Sequence, residues 1–132
     1  MPAQVLMIDD DPRSLHLLEL ILRSRGHESW GATSGCEGLA LMRSRRFDVL
    51  LLDLMLPGMD GLEVLRQIRQ DPQLADLPVV VVSARAHVES QQEAAGLGAD
   101  AYVTKPYRKD ELLEVIESLT ESRPGREPPV TD

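Results

Sequence analysis

The stretch Asp48-Val49-Leu50-Leu51-Leu52-Asp53, continued by Leu54-Met55-Leu56-Pro57-Gly58-Met59-Asp60-Gly61, decides how this chain is read. Apolar residues follow one another from Val49 to Leu52 with no polar alternation, which describes a strand covered on both faces, as in the middle of a parallel sheet. A carboxylate, Asp53, ends the run. Val79-Val80-Val81-Val82 has the same character and asks for the same kind of position.

Working outward, the strand candidates are Val5 to Ile8, Glu28 to Ala32, Asp48 to Leu52, Pro78 to Val82 and Ala101 to Thr104. Their spacing of roughly 20 to 30 residues suits strand–helix–strand units. Glu28 to Ala32, mixed in polarity, reads as an edge strand. Helices are expected at Pro12 to Arg25, Gly35 to Arg45, Gly61 to Gln70, Val88 to Gly96 and Lys109 to Ser122. In the first of these, Leu15, Leu18 and Leu22 recur at helical spacing, and Leu17 and Ile21 widen the apolar stripe. Asp11 is its expected cap, Pro12 suits the first turn, and Gly26 suits the left-handed position past the end. Gly96-Leu97-Gly98 follows a helix, so it is a helix stop and not a dinucleotide fingerprint. The pattern is (βα)5: one α/β domain, a doubly wound five-stranded parallel sheet with helices on both faces and right-handed crossovers.

Composition narrows the function. The 132 residues suit one domain, and 42% hydrophobic with 27% charged residues is a globular balance. A formal net charge of −8 repels nucleic acid. Cys36 is the one cysteine, which excludes an intramolecular disulfide or a multi-thiolate metal centre. No apolar run approaches the ~20 residues that cross a bilayer, and Asp9 to Asp11 interrupt any signal-peptide core. The expectation is a cytoplasmic protein that binds neither nucleic acid nor membrane. The domain is expected over residues 1–122, with 123–132, proline-rich and nearly devoid of apolar side chains, a disordered tail or linker stump.

In open α/β sheets chemistry collects beyond the carboxyl ends of the strands. There the first strand supplies Asp9, Asp10 and Asp11, the third Asp53, the fourth Ser83 and Ala84, and the fifth Thr104, Lys105 and Pro106. Thr33-Ser34-Gly35, after the second, is turn material. Carboxylates gathered together stay ionised only beside a cation, and an all-oxygen set of few carboxylates suits magnesium. Lys105 adds a second positive charge and Ser83 a hydroxyl. Such surroundings make Asp53 a nucleophile for phosphoryl transfer, with an acyl phosphate as product.

Four blocks, in order, carry a family resemblance: Ile8-Asp9-Asp10-Asp11-Pro12, the Asp48 to Gly61 stretch, Val81-Val82-Ser83-Ala84, and Gly98-Ala99-Asp100-Ala101-Tyr102-Val103-Thr104-Lys105-Pro106-Tyr107. Over about residues 4 to 120 the chain resembles the CheY-like, flavodoxin-like receiver domain of bacterial response regulators. The resemblance implies that Asp53 accepts the phosphoryl group and that Asp9, Asp10, Asp53 and the Met55 carbonyl hold magnesium. It further implies that Lys105 binds a phosphoryl oxygen, that Ser83 and Tyr102 form the switch, that Met55 and Arg85 tune dephosphorylation, and that Lys105-Pro106 is cis. Implied partners are a sensor histidine kinase or histidine phosphotransfer protein and a downstream protein, or an output domain, reached through the face of the fourth helix, fifth strand and fifth helix. The transcription-factor branch dimerises through charge pairs on that face. Asp100 is present here, but Ala101 and the acidic Glu111, Glu114, Glu117 and Glu121 lack basic partners, so a monomer or weak dimer is expected. The alternatives are a phosphorylation-independent interaction module of the same fold, and a haloacid-dehalogenase-like phosphatase with its nucleophile on the first strand. Asp11 reads mainly as a cap, Asp60 as a brace for the turn before Gly61, and His16, His27 and His87 as surface residues. Trp30 and Cys36 read as packing or partly exposed.

Overall fold

The computed structural model describes residues 2–121, so Ser122 and the expected tail at 123–132 lie outside the described residues. Strands and helices alternate: β1 (Gln4–Ile8), α1 (Pro12–Arg23), β2 (Glu28–Ala32), α2 (Gly35–Ser44), β3 (Val49–Leu52), α3 (Gly61–Gln70), β4 (Val79–Ser83), α4 (Val88–Gly96), β5 (Ala101–Thr104) and α5 (Lys109–Glu121). All strands are parallel in one five-stranded sheet of order β2-β1-β3-β4-β5. The unalternating β3 is its centre, and the mixed-polarity β2 is an edge.

Alternation is hidden in β3 because both faces are apolar. Val49 and Leu51 join Val5, Met7, Val80 and Val82 against Leu18 and Leu22 of α1 and Leu112, Leu113 and Ile116 of α5. Leu50 and Leu52 point the other way, joining Leu6, Ile8 and Val79 against Leu39 of α2 and Val64, Leu65 and Ile68 of α3. Full burial of each such side chain contributes roughly 1.5–3 kcal/mol, so this two-sided core dominates the stability. A smaller cluster of Leu54, Leu62, Val81 and Ala94 seats α4.

Local signals set the boundaries. Asp11, Ser34 and Asp60 each accept a backbone N–H in the first turn of α1, α2 and α3. Gly26 (φ +80°) and Gly98 (φ +100°) take the left-handed conformation after α1 and α4. Small differences from expectation have local causes. The helix α1 stops at Arg23 because Gly26 N–H and His27 N–H turn back onto Arg23 and Leu22 carbonyls. Asp48 precedes β3, its carboxylate accepting the Gln4 N–H. Ser83 belongs to β4, paired with Thr104 of β5.

His16 and His87 are exposed, but His27 is buried, contrary to its expected place on the surface. Its Nδ1 accepts the Ala3 N–H at 2.9 Å and its Nε2 lies 3.1 Å from Glu117, which also pairs with Arg25. One ring therefore ties the starts of β1 and β2 to α5. Glu117, taken from the sequence as lacking a basic partner, has one in Arg25.

Candidate functional site

The carboxyl ends of β1, β3 and β5 meet at one rim. The ladder carries each strand forward: Asp9 N–H donates to Ala32, Asp53 N–H to Ile8 and Lys105 N–H to the Ser83 carbonyl. The next side chains converge. Lys105 Nζ donates to Asp9 Oδ2 at 2.8 Å and to Asp53 Oδ2 at 3.1 Å. Only 3% of Asp9 and 7% of Asp53 is exposed. Their other oxygens accept backbone N–H groups, Asp9 Oδ1 from Asp11 and Asp53 Oδ1 from Met55. The hairpin of chain after each aspartate thus fixes the carboxylate it must present.

Burial alone lowers the pKa of Lys105, but hydrogen bonds to Asp9 and Asp53 outweigh it and hold the ammonium above its ordinary range. Lys105 is therefore charged at neutral pH. Two buried carboxylates face this one ammonium, itself only partly buried. Asp10 is exposed at the rim, and Met55 beside Asp53 is 53% exposed. Among the described residues no group of three or more His, Cys, Asp or Glu side chains is gathered closely enough to hold a metal ion. The structure brings together the two buried carboxylates of Asp9 and Asp53, with Asp10 and Met55 close to them in the chain. A hard divalent cation that keeps several waters fits such oxygen donors.

Asp11 stands apart from the cluster, capping α1, with its carboxyl held low by its hydrogen bonds to Arg13. On the far side, Ser83 has no exposed surface, and its Oγ accepts the Arg85 N–H at 3.2 Å. The half-buried Tyr102 donates its hydroxyl to the Arg85 carbonyl at 2.8 Å. Burial raises the Tyr102 pKa, so this donor keeps its proton. Arg85 backbone thereby joins the serine to the tyrosine, and its own side chain is half-buried. The Lys105-Pro106 bond is cis.

Sequence reading singled out Asp9, Asp53 and Lys105, which meet, and Ser83 and Tyr102, which share Arg85. It passed over the packing of Gly61 and the reach of Arg69. A Cβ on Gly61 would stand 2.5 Å from the Asp53 carbonyl oxygen, and its place just after the capping Asp60 was the available signal. Arg69 donates to the Ala75, Leu77 and Gly98 carbonyls and to Asp100 Oδ2, which also accepts the Val79 N–H.

A sequence model of the response regulator receiver domain matches residues 5–117. The chain is 37% identical over 122 residues to the cell cycle response regulator CtrA of Brucella ovis, covering 92% of this chain and 52% of that protein. It is 35% identical over 116 residues to the DNA-binding dual master transcriptional regulator RpaA of Synechocystis, covering 88% and 48%. The chain therefore spans about half the length of these curated relatives. A response regulator receiver domain protein (CheY-like) from Methanospirillum hungatei superposes with a TM-score of 0.83 at 33% identity, covering 92% of this chain and 96% of that one.

Proposed function

This chain belongs to the response-regulator receiver domain family of two-component signalling, and from that premise we propose that it is a phosphorylation switch with Asp53 as the acceptor. One observation carries the reading: Lys105 Nζ lies 2.8 Å from Asp9 and 3.1 Å from Asp53, both carboxylates being buried. The donor is the phosphohistidine of a sensor histidine kinase or phosphotransfer protein. An Asp53 oxygen attacks phosphorus, the P–N bond to the imidazole breaks, and an acyl phosphate forms. Lys105 exchanges its contact with Asp53 for one with a phosphoryl oxygen. Asp9, Asp10, Asp53 and the Met55 carbonyl are the residues that would hold magnesium, which receiver domains typically bind and which neutralises phosphoryl charge.

Ser83 converts the modification into movement. Its hydroxyl gives up the Arg85 N–H and donates to the phosphoryl group, a charge-assisted hydrogen bond of about 1.5–3 kcal/mol. Such a differential contact shifts a two-state equilibrium roughly ten- to a hundredfold. The Ser83–Arg85 turn then rearranges, and with it the carbonyl that Tyr102 holds, so the change reaches the α4–β5–α5 face and a downstream protein. Water attack on the phosphorus resets the switch, and Met55 and Arg85 are the residues that tune how slowly. Asp100 is already engaged by Arg69 and the Val79 N–H, which favours a monomer or weak dimer over charge-paired dimerisation on that face. Among the described residues no helix is long and apolar enough to cross a membrane, and the proposed phosphohistidine donor supports a cytoplasmic location.

Incubation with acetyl phosphate and magnesium, followed by intact-mass measurement, tests this reading. The protein gains one phosphate and Asp53→Asn gains none; equal gain by the variant overturns the assignment.

A further inference from the structure

At the opposite rim of the sheet from Asp53, a cavity of about 450 Å³ opens between the end of α2 and the turn after α3. Met42, Phe47, Leu74 and Leu77, all buried, form its apolar floor, and Arg43, Arg45 and Arg46 stand around it. Two of these guanidinium groups are held in place. Arg43 Nε lies 3.4 Å from Asp71 Oδ2. The Arg45 guanidinium sits 3.9 Å over the Trp30 ring centroid and 5.6 Å from that of Phe47, and it donates to Gln4 Oε1 at 3.5 Å. A cation at a helix C-terminus ordinarily offsets the helix dipole, and that accounts for Arg43 in the last turn of α2. It does not account for Arg45, which leaves the helix in extended conformation (φ −157°, ψ 162°), or for Arg46 after it. Among the described residues neither Arg45 nor Arg46 pairs with a carboxylate, although the chain carries 22 acidic residues. In a chain of net charge −8, three arginines within four residues form a local cationic cluster.

We propose that this cavity binds an aromatic organic phosphate of nucleotide size, independently of the chemistry at Asp53. Its volume lies within the range of small-molecule sites, roughly 300–1,000 Å³, and it combines buried apolar residues with a charged rim. The ring system lies on Phe47, Leu74 and Leu77. Its phosphate takes the donors of Arg45 and Arg46, since a planar guanidinium matches phosphate geometry in bidentate fashion. Stacking on Trp30 lowers the entropy lost when Arg45 engages the anion. Gln73 and Ser44 offer hydrogen bonds to the polar edge of the ligand.

Backbone amide NMR titration with adenosine monophosphate, without magnesium, provides the test, with adenosine as the uncharged control. Saturable shifts are expected within residues 42–47 and 73–77, with the amides of Asp53 and Lys105 unmoved. Affinity falls about tenfold or more for adenosine and for the Arg45→Gln/Arg46→Gln double variant, as the loss of charged hydrogen bonds demands. Both arginines are exposed, so the variant keeps its fold, shown by an unchanged spectrum elsewhere and by normal phosphate gain from acetyl phosphate. Absence of saturable shifts, equal affinity for adenosine, an unaffected double variant or shifts centred on Lys105 each overturn the proposal.

Discussion

Gly61 backs directly onto Asp53: a Cβ at position 61 would meet the Asp53 carbonyl oxygen and the Leu54 Cα, each at 2.5 Å. Both obstacles are backbone, so neither rotates away. The first turn of α3 and the strand end carrying Asp53 are therefore one packed unit. Gly61→Ala is expected to destabilise the fold by about 1–3 kcal/mol, the range for overpacking, and to slow phosphate gain. The contrasting substitution is Gly96→Ala. Nothing lies within 4 Å of a Cβ there, so it should stabilise by about 0.4–1 kcal/mol through the unfolded chain. Urea titration of both variants checks the pair.

His27 is a structural residue, and its removal has a predictable effect. His27→Ala leaves the Ala3 N–H without its acceptor, and an unsatisfied buried donor costs about 1–3 kcal/mol. Phosphate gain at Asp53 is expected to persist below the shifted melting temperature.

The His27 hydrogen bond, with Arg25 nearby, holds the Glu117 carboxyl below its ordinary range. A carboxyl whose pKa is depressed on folding adds stability that is fully present above its unfolded value, about 4.3, and disappears as pH falls through the folded value. Wild type and Glu117→Gln should therefore differ by a constant amount above about pH 5 and converge toward pH 3. A gap that widens in acid contradicts this.

Magnesium should stabilise the native state, because Asp9 and Asp53 hold more negative charge than Lys105 balances. A ligand at a hundred times its dissociation constant adds about 2.7 kcal/mol. The melting temperature is expected to rise with magnesium chloride over an EDTA control, and Asp9→Asn should lose most of the rise.

Arg85, half-buried and with its carbonyl held by the Tyr102 hydroxyl, is the side chain proposed to shield the phosphoryl group. Slow loss of the phosphoryl group is expected, with Arg85→Ala faster than wild type when intact mass is followed over time. A wild-type half-life shorter than about one minute, down toward the μs–s range of lid opening and local unfolding, contradicts shielding.

Much of this was legible in the sequence for a physical reason. Asp9, Asp53 and Lys105 each stand at the end of an apolar run, and in a parallel sheet all strand ends share a rim, so runs alone bring them together. Val49 to Leu52 places its own strand in the middle. Asp11, Asp60 and Gly26 announce their roles because capping and turns are local. Contacts between distant positions left no such trace. His27 and Glu117 are 90 residues apart, and Arg69 reaches Gly98 and Asp100 across 29 and 31; neither arginine nor histidine differs in type from a solvated neighbour. The extension of β4 to Ser83 was likewise invisible, since a serine after four valines reads equally well as a turn.

The most direct measurement locates the phosphoryl group itself. Reduction of the acetyl phosphate-treated protein with borohydride converts an aspartyl phosphate to homoserine, and peptide mass spectrometry reads its position. Homoserine at residue 53 is the predicted result; homoserine at residue 9 or 10, or at no aspartate, contradicts the account.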